Sequence, residues 1–172
     1  MIDRGVASDS TFFTQTVYLG KSDDVRNARY VLFDNAIFNT RVRGNYSMQR
    51  TNVNSPNGLG YIGGYENGYQ TGIPAPVFVP GALADQLTSF GGELYEQVDH
   101  TTALQYLNAG AAGSYGTITE PCLHLQKFPS PQVYFCQARG FTMAECYYQS
   151  VTNPYQGLLL GEPLAAPTAV KE

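Results

Sequence analysis

Thr101-Thr102-Ala103-Leu104-Gln105-Tyr106-Leu107-Asn108-Ala109-Gly110, followed without a break by Ala111-Ala112-Gly113-Ser114-Tyr115-Gly116-Thr117-Ile118-Thr119, is the stretch on which the fold turns. Thr101 and Thr102 are helix-capping residues, because a threonine hydroxyl accepts a hydrogen bond from an amide that the first helical turn leaves unpaired. Ala103, Leu104, Tyr106 and Leu107 then recur at helical spacing, and Asn108-Ala109-Gly110 ends the helix where glycine tolerates a left-handed cap. From Ala111 to Thr119 small residues come first and β-formers later, which predicts a buried central strand leading into Glu120-Pro121-Cys122.

The chain beyond this strand repeats the alternation. Ser130-Pro131 is an N-cap and first-turn pair for a helix through Val133, Tyr134, Cys136 and Gln137, ended by Gly140. Thr142 caps a second helix from Met143 to Val151, with Pro154 just past its end. Gly157-Leu158-Leu159-Leu160-Gly161 reads as a short apolar strand closing at Glu162-Pro163, and the chain is expected to fray from Ala165 to Glu172. The order helix, strand, helix, helix, strand predicts an α/β fold, three-layered, with a mostly parallel sheet covered by helices.

Upstream, Pro76-Val77-Phe78-Val79-Pro80 predicts a short strand ending at Gly81. It precedes Ala82 to Gly92, where a Thr88-Ser89 pair stands before Phe90 and a Gly91-Gly92 turn. The first part of the chain, residues 11–43, predicts a strand within Thr11 to Leu19, closed by Gly20. A helix should follow, with Ser22 as N-cap, Asp23 and Asp24 at the positive end of its dipole, and Val25, Ala28, Val31 or Leu32, and Asn35 or Ala36 at helical spacing. Arg26, Arg29 and Asp34 would form its solvated face.

Residues 44–73 differ in kind. Gly44 to Gly72 contains seven Gly, five Asn and four Tyr, with turn signals at Pro56-Asn57-Gly58, Gly63-Gly64 and Asn67-Gly68, so it reads as a long loop region. Tyr61, Tyr65 and Tyr69 are candidate binding residues there, since tyrosine supplies rigid aromatic contacts on an adaptable backbone. Their simpler role is to pack the loop onto the domain. Residues 74–167 form the α/β core of one domain spanning 1–172, and 168–172 a tail.

Composition narrows the function classes. Within 172 residues, 14 acidic and 10 basic side chains give a net charge of −4 and no basic stripe, so nucleic acid is not an expected partner. No run approaches the roughly 18 apolar residues of a membrane span. The opening Met1-Ile2-Asp3-Arg4-Gly5 shows no signal peptide, as a processed chain also would not. With 13 Tyr, 18 Gly, 10 Pro and few Lys, the composition leans towards an extracellular or cell-surface setting. Cys122, Cys136 and Cys146 are too few for a disulfide framework and leave at least one thiol unpaired. No Gly-rich phosphate loop is present, and no cofactor is expected. Asn45-Tyr46-Ser47 fits a glycosylation triplet of a kind that arises often by chance.

Four blocks carry a resemblance: Pro80-Gly81-Ala82-Leu83-Ala84-Asp85 with Leu87-Thr88-Ser89-Phe90-Gly91-Gly92, then Ala109 to Pro121, Gly140-Phe141-Thr142-Met143-Ala144-Glu145, and Leu160-Gly161-Glu162-Pro163-Leu164. In order, over residues 74–167, they resemble the C-terminal half of an uncharacterised family of bacterial, secreted proteins. More distantly, the same part is similar to gingipain and caspase-like peptidases. Ser89 falls where their nucleophilic Cys would lie, Ala144-Glu145-Cys146 resembles their Glu-Ala helix, and Gly161-Glu162-Pro163 resembles their Gly-Asp-Pro segment. The resemblance implies a caspase-like fold without the caspase-like nucleophile. Gln86 stands where the family pattern often has His.

A hydroxyl needs a neighbouring base that a partly ionised thiol does not. The chain has two histidines, so a serine mechanism at Ser89 would draw on His100 or His124 as base, with Asp85 or Glu120 in support. His100 reads more simply as a capping or surface residue. Cys122 and His124 are a candidate metal pair, but one pair without a second is better explained structurally. Glu120-Pro121 reads either as the simple end of the buried strand or as placing Glu120 at a cleft on the strand's carboxyl edge, where α/β proteins bind ligands. The sequence therefore favours a non-catalytic interaction module that meets a protein partner or copies of itself, with a secreted serine hydrolase as the alternative.

Overall fold

The computed structural model describes residues 2–12, 14–21, 23, 25–43, 47–52, 62–64, 78–95 and 101–170. They form helices and small sheets in alternation, an α/β architecture in the general sense. Helix α1 spans Ile2–Ser8, a segment to which the sequence assigned no element. Strand β1 follows at Thr16–Lys21, shifted towards the C-terminus from the expected Thr11 to Leu19. Phe12 lies outside the strand because its amide donates to Pro167 O at 3.1 Å, fixing it against the far end of the chain at φ +49°.

The expected helix after β1 is helical in two pieces. A 3-10 segment at Val25–Leu32 runs directly into α2 at Phe33–Arg43. Its proposed cap, Ser22, and Asp24 fall outside the described residues. Two strands then arise inside the presumed loop, β2 at Ser47–Asn52 and β3 at Ile62–Gly64. Phe78 and Val79 are buried but in no strand, while Pro76 and Val77 are outside the described residues; β4 is instead the short Ala84–Asp85.

From here local signals and structure agree closely. Helix α3, Ala103–Asn108, begins at a capping box in which Thr102 Oγ1 accepts from Gln105 N at 3.3 Å and Gln105 Oε1 accepts from Thr102 N at 2.8 Å. Strand β5, Gly113–Thr117, is buried at every position. Helix α4, Gln132–Ala138, starts one residue later than expected, with Pro131 instead of Ser130 as its N-cap. Helix α5, Met143–Ser150, has a second capping box, with Glu145 Oε2 accepting from Thr142 N at 2.8 Å. Strand β6 occupies Gly157–Gly161.

The sheet expected to be mostly parallel is mixed among the described strands. β1 pairs in parallel with β2 and antiparallel with β3, β3 pairs antiparallel with β4, and β5 pairs antiparallel with β6. A parallel bridge between Leu83 and Gly113, with Ala112 N donating to Ala82 O at 2.8 Å, sets β5 beside β4. Alternation along β1, and from Leu83 into β4, supplies apolar groups to two clusters. Val17, Leu19 and Leu83 join α2, α4 and α5 residues such as Phe33, Tyr134 and Tyr147, while Ala84, with Tyr18 packed alongside, joins Phe78, Val79 and Tyr106.

The end of the chain, expected to fray, is tied down as far as residue 169. Ala165, Ala166 and Thr168 are buried. Met143 N donates to Ala165 O at 2.9 Å, Ala166 N to Asp9 Oδ1 at 2.8 Å, Ser10 Oγ to Ala169 O at 2.8 Å, and Thr168 Oγ1 to Gln137 O. Four backbone or side-chain anchors at distant positions hold a segment whose own sequence carries no periodicity.

Candidate functional site

β4 and β5 run side by side in the same direction, so the segments after them, Gln86–Ser89 and Ile118–Pro121, emerge at one edge. Between those segments lies a cleft of about 260 Å³. Arg26, Thr88, Ser89 and Glu120 line it with polar groups, and Val25, Leu87, Pro121 and Leu123 with apolar ones. Carboxyl ends of adjacent parallel strands are a common place for a ligand because the two chains diverge there and leave a crevice.

Backbone contact shapes one rim. A Cβ on Gly116 of β5 would stand 2.1 Å from Gly91 C, and one on Gly92 would stand 2.4 Å from Gly116 O. Only glycine permits this approach, which lets Gly92 N donate to Thr117 O at 2.8 Å. Thr117 Oγ1 also donates to Thr88 O at 3.3 Å. Pressed onto β5 in this way, the turn carries Phe90 at φ +59° immediately after Ser89.

The opposite rim is strained as well. Cys122 and Leu123 take φ +53° and +57°, and Glu120 Oε1 accepts from Cys122 N at 3.0 Å, so the carboxylate braces its own turn. A non-glycine residue held left-handed costs on the order of 1–3 kcal/mol, and such strain collects at functional sites. Three of the five non-glycine residues at positive φ among those described flank this one cleft.

Beneath the cleft is a buried ion pair. Arg29, from the 3-10 segment, places Nη1 2.6 Å from Asp85 Oδ1, with side-chain exposures of 1% and 3%, and also donates to Pro129 O at 3.0 Å. Burial pushes the Asp85 carboxyl up to about 6, against the pull of the Arg29 guanidinium, which lowers it. Burial and then the Asp85 charge push Tyr115 up to about 12, and the same two causes raise Tyr147. Both phenols therefore stay protonated. Tyr106 OH donates to Gln86 Oε1 at 3.1 Å and Tyr134 OH to Leu83 O at 2.6 Å, fixing the floor on either side of β4.

The structure brings together two of the residues proposed from sequence, Ser89 and Glu120. Asp85 is separated from them in role: its carboxylate faces Arg29 in the core rather than a base at the cleft. His124 is exposed, just ahead of a 3-10 turn at Leu125–Lys127, and does not line the cleft. His100, Tyr61, Tyr65 and Tyr69 lie outside the described residues. Cys122 is an exposed thiol, and no group of three or more metal-ligating side chains that could include it and His124 occurs among the described residues.

Arg29, expected on a solvated face, is among the most deeply buried side chains described. The available signal was the spacing of Arg26 and Arg29. In a 3-10 segment, unlike an α-helix, residues three apart eclipse, so both arginines point the same way, one to the cleft and one beneath it. Comparison with protein-family models, with curated proteins and with solved structures finds no match in any of the three.

Proposed function

We propose that this chain is a non-catalytic interaction module of a secreted or cell-surface bacterial protein, in which the cleft at the carboxyl ends of β4 and β5 receives a protein partner or a second copy of the chain. One observation carries the reading: the Ser89 alcohol lines the cleft beside Glu120 and Arg26, and among the described residues no imidazole lines it with them. A serine hydroxyl does not ionise near neutral pH without a base to take its proton. Glu120 is a weak candidate for that task, because its carboxylate is engaged by the Cys122 amide. The two apolar clusters fed by alternate residues of β1 and β4 support a caspase-like, three-layer arrangement, in which this edge is where the resemblance would put the active site.

The strained Phe90 turn favours one second reading, a serine-type hydrolase, since a tight turn of this kind presents a side chain to a cleft. A fluorophosphonate probe separates the two. The interaction module leaves Ser89 unlabelled; labelling of the full chain that vanishes in Ser89→Ala would replace it with the hydrolase. Sedimentation then addresses the occupant. Self-association that weakens in Ser89→Trp, which fills the cleft, identifies a second copy, and a monomer at all concentrations points to a different protein.

A further inference from the structure

Away from the cleft, two of the chain's three thiols lie on the paired helices of the α4–α5 hairpin. Cys136 of α4 and Cys146 of α5 line one pocket, Cys146 Sγ donates to Phe141 O at 3.8 Å, and both are buried, at 8% and 0% exposure. The pocket, of about 110 Å³, is lined also by Gln132, Phe135, Arg139 and Phe141. The Arg139 guanidinium is held there by two rings, 5.7 Å from the Phe135 centroid and 5.2 Å from that of Phe141. Cys122, the third thiol, is exposed and does not line this pocket.

We propose that Cys136 and Cys146 are a redox dithiol that closes to an intramolecular disulfide, with Cys136 as the attacking sulfur and Cys146 as the resolving one. The assignment of roles follows from access and charge. Cys136 is the less buried of the two, and its thiol is held below the ordinary value, first by its pairing with Cys146 and, against burial and the Glu145 charge, by Arg139. Cys146 is fully buried and pushed upward, first by that same pairing and then by burial. It becomes a nucleophile only once Cys136 has given up its charge.

The oxidant is a disulfide, RSSR, small enough to reach the pocket. The Cys136 thiolate attacks one of its sulfurs, forming a mixed disulfide and expelling RS⁻. Cys146 then loses its proton and attacks the Cys136 sulfur, expelling a second RS⁻. Two S–H bonds have been lost from the chain and one S–S bond gained, the two protons and two electrons leaving with two molecules of RSH. The product ties α4 to α5 through a short loop and accords with the oxidising setting of a secreted protein, although it does not depend on the cleft.

The test uses the full chain with Cys122→Ser, which removes the exposed thiol. The folded protein is incubated with oxidised glutathione, quenched with iodoacetamide under denaturing conditions and weighed intact. The expected product has lost the mass of two hydrogens, takes no alkyl group and melts on the order of 5 °C higher, a gain reversed by dithiothreitol. In the same background Cys146→Ser should trap one glutathione on Cys136, whereas Cys136→Ser should trap at least ten-fold less. Two alkylatable thiols after oxidation, or a stable glutathione adduct with both cysteines present, overturns the disulfide. Equal trapping in the two variants overturns the assignment of roles. The mass of the parent protein decides the first point even where a variant fails to fold.

Discussion

The carboxyl edge of β4 and β5 and the α4–α5 hairpin are held by opposite means. At the edge, backbone presses on backbone: Gly91 and Gly92 lie against Gly116, and Phe90, Cys122 and Leu123 are all left-handed. In the hairpin, two regular helices, the second started by a capping box, bury side chains such as Val133, Tyr134, Met143 and Tyr147. A turn fixed by distant backbone does not need its side chains for packing, and Ser89 lines the cleft there, with Glu120 across from it. Helices fixed by their own side chains turn those groups inward, which is how two buried thiols come to line one pocket.

The largest effect that would break this contrast lies beneath the cleft. Arg29→Met should lower the unfolding free energy by about 3–5 kcal/mol in chemical denaturation at pH 7, because it leaves the Asp85 carboxylate buried without its cation. Arg29→Met with Asp85→Leu should recover most of that loss. The same carboxylate makes stability depend on pH. Its folded-state value of about 6 exceeds the ordinary 3.8, so the folded chain holds this proton more tightly than the unfolded chain does. The Asp85 contribution therefore falls as pH rises from about 4 to about 6 and is level above that. Asp85→Asn should flatten this interval of the profile, and an unchanged slope would remove Asp85 as its source.

An intermediate effect is expected at the rim. Gly116→Ala should cost about 2–3 kcal/mol, since its Cβ meets backbone that no side-chain rotation can relieve. It should also speed hydrogen exchange at the Gly92 amide, whose acceptor is Thr117 O. A neutral Gly116→Ala would show that the close approach does not shape the turn. The smallest effect belongs to the hairpin. Thr142→Ala removes one capping partner and should cost about 1 kcal/mol, leaving exchange at Gly92 unchanged.

The hairpin side of this contrast was legible in the sequence, and much of the edge was not. Thr102, Thr142 and the glycines at 110 and 140 mark helix ends by chemistry confined to a few neighbouring residues, so α3, α5 and β6 fall where their residues predict. The Thr88-Ser89 pair and Glu120 were recognisable as candidates because a strand end and a Gly-Gly turn are local features too. Nothing local reveals that Arg29 is buried, that Asp85 is its partner, or that Ala165 to Thr168 are pinned by Asp9, Gln137 and Met143. Each of those depends on a segment far away in the chain.

Taken alone, the order of residues determined a mixture of helices and strands and the positions of the best-capped helices. Tertiary structure alone decided which charges are buried, which strands pair and in which direction, and which two cysteines line one pocket. The physical reason is range. Capping and periodicity act within a few residues, whereas desolvation and close packing depend on whatever the rest of the chain brings alongside.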